Sequence, residues 1–232
     1  MRILGLIPAR GGSKGVPHKN SKELYGKPLL QYTIEAAKKA TGIDRLVFSS
    51  EDEGLRSLAK SLGAEVPFER PADLAQDTSG SLEVIQHALH TLSQQGDHYD
   101  AVCLLQVTNP FRTTALIDEA IAIFKKNEMD ALVSVLKVPH DYNPHWVFEA
   151  NDNGQLHIAT GEKEIIKRRQ ELPDAFIRDG AIYITKTSVI LNENSLFGES
   201  LGYIISDPER HVNIDTMDDW YAAVALAKKL FS

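Results

Sequence analysis

The feature that most constrains the fold of this chain is the alternation, through its first half, of short apolar runs with longer stretches of helical period. Residues 3–7, 45–49, 101–107 and 131–138 read as strands, and their mostly apolar character suits burial on both faces. Between them, residues 29–39 place Leu30, Ile34 and Ala37 on one helical face, and residues 51–62 do the same with Leu55, Leu58, Ala59 and Leu62. Residues 81–92 and 114–126 repeat the pattern. Strands alternating with helices of this length predict an α/β fold: a mostly parallel sheet, Rossmann-like in style, with helices on both faces.

The pattern changes at Pro139. His140, Asp141, Tyr142, Asn143, Pro144 and His145 interrupt it, short β-like pieces follow, and a charged stretch occupies residues 162–171. Strand patterning returns at 180–185 and 202–205, and a last helix is expected from about Thr216, with Met217, Trp220, Tyr221 and Val224 on one face. A chain of 232 residues suits one domain over 1–232, with residues 139–173 as a small inserted lobe. Internal repeats and low-complexity segments are absent.

Composition removes several function classes. A formal net charge of −7 argues against a general nucleic-acid or membrane-surface binder, so any bound anion must meet a local basic cluster. The apolar run within residues 1–9 is too short to span a bilayer and is closed by Pro8 and Arg10. Cys103 is the single cysteine, which leaves neither a disulfide framework nor a thiolate zinc site and makes a reducing cytoplasm the expected compartment. Within its apolar run it reads as a buried structural thiol.

The strongest local signal follows strand one directly: Pro8-Ala9-Arg10-Gly11-Gly12-Ser13-Lys14-Gly15-Val16-Pro17-His18-Lys19-Asn20. Glycines let backbone N–H groups approach a ligand, and Arg10, Lys14 and Lys19 can converge on one polyphosphate. The spacing is neither that of a P-loop nor of a dinucleotide fingerprint. A solvated basic turn is the competing reading. Position decides for a triphosphate cradle, because open α/β sheets bind ligands at the carboxyl ends of their strands.

This loop, with Gly26-Lys27-Pro28-Leu29, resembles the acylneuraminate cytidylyltransferases, which make CMP-sialic acid and its bacterial relatives. The likeness continues in order through Phe68-Glu69-Arg70-Pro71, Leu105-Gln106-Val107-Thr108-Asn109-Pro110-Phe111-Arg112, Arg169-Gln170-Glu171-Leu172-Pro173, Gly180-Ala181-Ile182-Tyr183 and Asn213-Ile214-Asp215.

By that resemblance Arg10, Gly11, Gly12, Ser13, Lys14, Lys19 and Asn20 hold the triphosphate and ribose, and Arg70 and Ser81 lie near the base and phosphates. A surface ion pair of Arg70 with Glu69 or Glu65 is the alternative. Gln106 and Tyr183 would line the sugar pocket. The resemblance further implies a homodimer in which the inserted lobe carries Arg169 and Gln170 toward the partner's acidic sugar, a carboxylate suiting a planar guanidinium. Asp179 stands where the family commonly has Asn, and a carboxylate there would repel an anionic sugar unless a cation is close. At Asn213-Ile214-Asp215 the family usually has two carboxylates that hold Mg²⁺; only Asp215 keeps one, with Asn213 offering an amide oxygen. Helix N-capping is the other reading of Asp215.

The implied reaction joins CTP to a nine-carbon 2-keto acid sugar with Mg²⁺, releasing pyrophosphate, with Arg10, Lys14, Lys19 and Asp215 as the catalytic set. Two alternatives stand beside it: transfer from another nucleotide such as GTP, and a nucleotide-binding module without turnover.

Overall fold

In a computed structural model describing residues 1–232, the first strand, β1 (Ile3–Pro8), lies inside the sheet, where its side chains alternate between two hydrophobic clusters. Ile3 and Ile7 belong to the larger cluster, Leu4 and Leu6 to the smaller, as a period of two requires for a strand covered on both faces. A short hairpin, β2 (Glu23–Leu24) with β3 (Lys27–Pro28), leads into α1 (Leu29–Lys39). The chain continues through β4 (Arg45–Ser49), α2 (Glu53–Ser61), α3 (Ser81–Gln94), β5 (Ala101–Leu104), α4 (Thr114–Asn127) and β6 (Ala131–Lys137). After the insert, which contains β7 (Phe148–Ala150) and β8 (Leu156–Ile158), come β9 (Phe176–Lys186), α5 (Thr187–Asn192), β10 (Leu201–Ile205) and α6 (Met217–Phe231).

The main sheet has the order β10-β6-β9-β5-β1-β4, with β9 antiparallel to both of its neighbours and the other pairings parallel. Helices α1, α2, α4 and α6 cover one face through Leu30, Ile34, Ala59, Ile117, Phe124 and Trp220. On the other face, α3 and α5 supply Ile85, Leu89, Leu92 and Ile190. The expected α/β architecture is therefore the one observed.

Three expectations change in detail. Strand β5 stops at Leu104 instead of running to residue 107, because beyond its pairing of Leu104 with Tyr183 the chain leaves the ladder. Helix α6 buries Trp220, Ala223 and Ala227, whereas Tyr221 and Val224 are 64% and 40% exposed, so the apolar stripe is one step round from the expected one. Strand β9 is longer than its 180–185 core, reaching back to Phe176.

That extension positions the site. Val133 of β6 pairs with Tyr183, but Val135 pairs with Arg178, so two steps along β6 match five along β9. The excess forms a bulge at Asp179–Gly180, and Gly180 occupies φ +81°, a region costly for residues with a Cβ. A Cβ there would also come 3.2 Å from Gln106 Oε1. The bulge and the departing end of β5 thus open a space between Gln106 and β9.

The insert lies between β6 and β9. Its β7–β8 hairpin turns through Asn151 and Gly154, with the Asn151 carboxamide oxygen accepting from the Asn153 and Gln155 N–H groups. Tyr142, Phe148, Leu156 and Ile165 remain exposed on this lobe.

Candidate active site

The first loop runs from the carboxyl end of β1 and folds back on itself. His18 takes φ +52°, and its carbonyl accepts from the Ser21 and Lys22 N–H groups. This turn directs the following two residues inward. Asn20, 7% exposed, donates its amide to the Arg10 carbonyl at 2.9 Å. The Lys19 ammonium donates to the Ile214 carbonyl at 2.6 Å and lies 3.5 Å from Asp215 Oδ1. Burial lowers the Lys19 pKa from that of an ordinary lysine, and Asp215 partly offsets this. Gly15 packs so closely against the Asn213–Asp215 segment that a Cβ would fall on the Asp215 carbonyl oxygen.

Arg10 and Lys14 meet on one carboxylate. Arg10 Nη1 is 2.7 Å from Asp77, and Lys14 pairs with the other oxygen of the same group. The bonds from Lys14 and then Arg10 hold Asp77 below the usual carboxylate range. Arg70 is buried beneath the loop at 4% exposure and donates to Glu51 at 2.7 Å and to the Ala9 carbonyl at 2.9 Å. Its partner is thus Glu51, not Glu69 or Glu65, which pair with Arg56 and Arg45. The second Glu51 oxygen accepts from the Gly11 N–H at 2.7 Å, so one carboxylate ties the glycine turn to Arg70.

Three cavities run together here. The first, ≈ 370 Å³, is walled by Arg10, Gly12, Ser13, Lys19 and Asn20 on the loop side and by Gln106, Thr108, Asn213 and Asp215 opposite. A second of ≈ 230 Å³ shares Pro8, Ala9 and Arg10 with it and extends to Arg70, Asp77 and Ser81. A third of ≈ 540 Å³ shares Gln106 and Asn213 with the first and Ser81 with the second; Arg178, Asp179, Tyr183 and His211 complete it.

The structure therefore gathers Arg10, Gly12, Ser13, Lys19, Asn20, Arg70, Ser81, Gln106, Asp179, Tyr183, Asn213 and Asp215 around one cleft. Gly11 joins them through its bond to Glu51, and Lys14 through Asp77, although the Lys14 side chain is 85% exposed. Arg169 and Gln170 are not brought in: they lie exposed on a 3₁₀ turn, Arg169–Glu171, of the inserted lobe.

Asp179 lines the third cavity and is also held from within the protein. It is 5% exposed, and its Oδ1 accepts from the Ser134 hydroxyl and from the Ala181 N–H at 2.9 Å, fixing the β9 bulge. Arg112, 5% exposed, donates to Thr33 Oγ1 at 2.9 Å and to the Gln106 carbonyl, which anchors the backbone of Gln106 at the cleft floor. Burial brings its pKa down to about 10.

Asp215 is released from capping α6. Thr216 is the N-cap, its hydroxyl accepting from the Asp219 N–H, while the Asp219 carboxylate accepts from the Thr216 N–H at 2.8 Å. The Asp215 carboxylate, 63% exposed, instead accepts from the Asn213 amide at 2.7 Å and faces Lys19.

Four functional candidates escaped sequence reasoning. Glu51 stands at the carboxyl end of β4, where ligand-site residues concentrate, so its position was a usable signal. Arg178 precedes the β9 bulge, forms no ion pair, and lines the third cavity. His211, whose pKa burial lowers, lines the same cavity. For Asp77, in an irregular segment, no local signal exists.

The cytidylyltransferase family model matches residues 4–217. The pseudaminic acid cytidylyltransferase of Campylobacter jejuni is 33% identical over 228 residues, covering 98% of this chain and 97% of the relative. The CMP-N,N'-diacetyllegionaminic acid synthase of Legionella pneumophila is 34% identical over 231 residues, with 99% and 96% covered. A solved CMP:2-keto-3-deoxy-manno-octonic acid synthetase complexed with CTP superposes with a TM-score of 0.75 at 14% identity, over 100% of both chains, and shows the fold. With this cleft and these relatives, the chain belongs to the cytidylyltransferase family.

Proposed function

We propose that the protein transfers CMP from CTP to the anomeric hydroxyl of a nine-carbon 2-keto acid sugar of the sialic acid type, releasing pyrophosphate. The observation that carries this reading is the union of a cationic loop cavity with a sugar-sized cavity holding an unpaired arginine, the two meeting at Gln106 and Asn213. Pseudaminic and N,N'-diacetyllegionaminic acid, named for the two relatives, belong to this sugar class.

In the reaction the anomeric oxygen attacks the α-phosphorus of CTP, the bond to the β-phosphate oxygen breaks, and the hydroxyl proton is lost. Arg10 and Lys19 would hold the phosphates and stabilise charge developing on them, with Lys14 at the rim. The cavity containing Arg70 and Ser81 would take the base. Arg178 would meet the sugar carboxylate through a charge-assisted pair, while Gln106 and Tyr183 orient its hydroxyls.

Mg²⁺ fits as a cofactor shared with the triphosphate. Asp215 offers an exposed carboxylate, a hard oxygen donor at the cavity containing the loop cations. Asn213 presents its amide nitrogen to Asp215, so offering the ion its oxygen requires the amide to turn. When bound, the ion would neutralise phosphate charge.

A homodimer is part of the proposal. The apolar side chains exposed on the inserted lobe and the position of Arg169 outside its own cleft support a lobe that reaches a second copy's sugar cavity. Mixing Arg169→Ala chains with Lys19→Ala chains should restore part of the activity through dimers with one intact composite site. No recovery after demonstrated subunit exchange contradicts that arrangement.

The function itself is tested by pyrophosphate release with each nucleoside triphosphate, Mg²⁺ and a panel of sugars. Release is expected only with CTP and a nine-carbon acid sugar. Turnover with a hexose 1-phosphate and none with any acid sugar overturns the reading.

A further inference from the structure

We propose that His211 contacts the sugar substrate, donating its Nε2–H to a neutral acceptor oxygen, a hydroxyl or an acylamino carbonyl, and that Asn109 holds the ring in the tautomer that can do so. The inference rests on the acid-sugar reading of the cleft. His211 lines the large cavity with Arg178, Tyr183 and Gln106, and also a small cavity of ≈ 60 Å³ that shares Asp179 with it.

Its tautomer follows from one neighbour. Asn109 is 3% exposed, and its Nδ2 lies 3.2 Å from the Asp179 carbonyl and 3.2 Å from His211 Nδ1. A backbone carbonyl only accepts, so the atom facing it must be the amide nitrogen and not the amide oxygen. That same nitrogen therefore donates to His211 Nδ1. With Nδ1 accepting, a neutral imidazole carries its proton on Nε2.

Nε2 has no hydrogen-bond partner in the protein and is not enclosed, so it stands as an accessible donor. The cavity already supplies Arg178 for a carboxylate, and Gln106, Ser81 and Tyr183 can each both donate and accept. A neutral N–H adds a donor suited to an uncharged oxygen, placed by a buried amide.

The test is a steady-state comparison of His211→Leu and His211→Gln with the wild-type enzyme, varying CTP and acid sugar separately. His211→Leu is expected to raise the sugar KM about tenfold, with the CTP KM within twofold, and His211→Gln, which restores an N–H donor, should recover most of the loss. Sugars carrying a hydroxyl in place of each acylamino group identify the acceptor: the analogue lacking it should be insensitive to His211→Leu. An unchanged sugar KM in His211→Leu, or equal rises for both substrates, overturns the proposal. An independent readout uses ¹⁵N-histidine-labelled wild-type protein with sugar and a non-hydrolysable CTP analogue. Proton attachment at Nε2 and a ligand-induced shift of that resonance support the proposal; attachment at Nδ1, or no shift, overturns it. If no acid sugar supports pyrophosphate release by wild type, the reading of the cleft has failed instead.

Discussion

On the nucleotide side of the cleft every cation of the first loop already has an oxygen partner, Arg10 and Lys14 on Asp77 and Lys19 on Ile214 and Asp215. Across Gln106, the sugar cavity presents Arg178 without an ion pair and holds its own acidic residue, Asp179, buried in a hydrogen-bonded bulge. The difference teaches how each half would meet its anion. On the proposed reading a triphosphate would exchange with Asp77 for Arg10 and Lys14, whereas a sugar carboxylate would meet Arg178, which has no ion pair. The Asp179 carboxylate lines the same cavity, with its Oδ1 engaged inside the protein and its Oδ2 enclosed without a partner.

The largest effect should come from breaking the nucleotide side at Asp215. Asp215→Ala is expected to abolish turnover at ordinary Mg²⁺ with little change in melting temperature. Thr216→Ala should do the reverse, costing about 0.5–2 kcal/mol of stability through the lost N-cap while turnover survives. Together, kinetics and thermal melts separate the two roles, and a fully active Asp215→Ala enzyme would remove the metal assignment.

A smaller effect is expected on the sugar side. A charge-assisted bond is worth roughly 1.5–3 kcal/mol, so Arg178→Gln should raise the acid-sugar KM by about tenfold or more and leave the CTP KM near wild type. A rise in the CTP KM instead would place Arg178 with the nucleotide.

The smallest change sharpens the exchange itself. If Asp77 competes with phosphate for Arg10 and Lys14, as proposed, Asp77→Asn should lower the CTP KM about two- to fivefold at low salt. The gain should fade as ionic strength rises, since both partners are solvent-accessible. A weaker CTP interaction in this variant would show that Asp77 orders the loop instead of competing for it.

The two halves also differ in how far they could be read from sequence. The cradle was legible because its chemistry is local: three cations and the glycines lie within a dozen residues after a recognisable strand, and the fold brings Lys19 and Asn20 inward through one turn. Carboxylates from two other segments, Glu51 and Asp77, complete it, and their spatial convergence has no period or spacing to reveal it. On the other side, the structure places Gln106 and Tyr183 at the cleft, but the register slip that sets Arg178 and Asp179 beside them depends on pairing between distant strands. Asp179 shows the limit most clearly, since its charge suggested repulsion while its burial and partners make it a structural acceptor. The α6 stripe failed by one step for a related reason: the helix packs through small Ala223 and Ala227, which draw less notice than Tyr221 and Val224.

The most direct test of the two-sided cleft is a crystal structure of the protein with its CMP-sugar product bound. The account predicts the phosphate against Arg10 and Lys19, the base beside Arg70 and Ser81, and the sugar carboxylate within hydrogen-bonding distance of Arg178 in the cavity between Gln106 and Tyr183. A sugar lying outside that cavity, or a phosphate held away from the first loop, would contradict it.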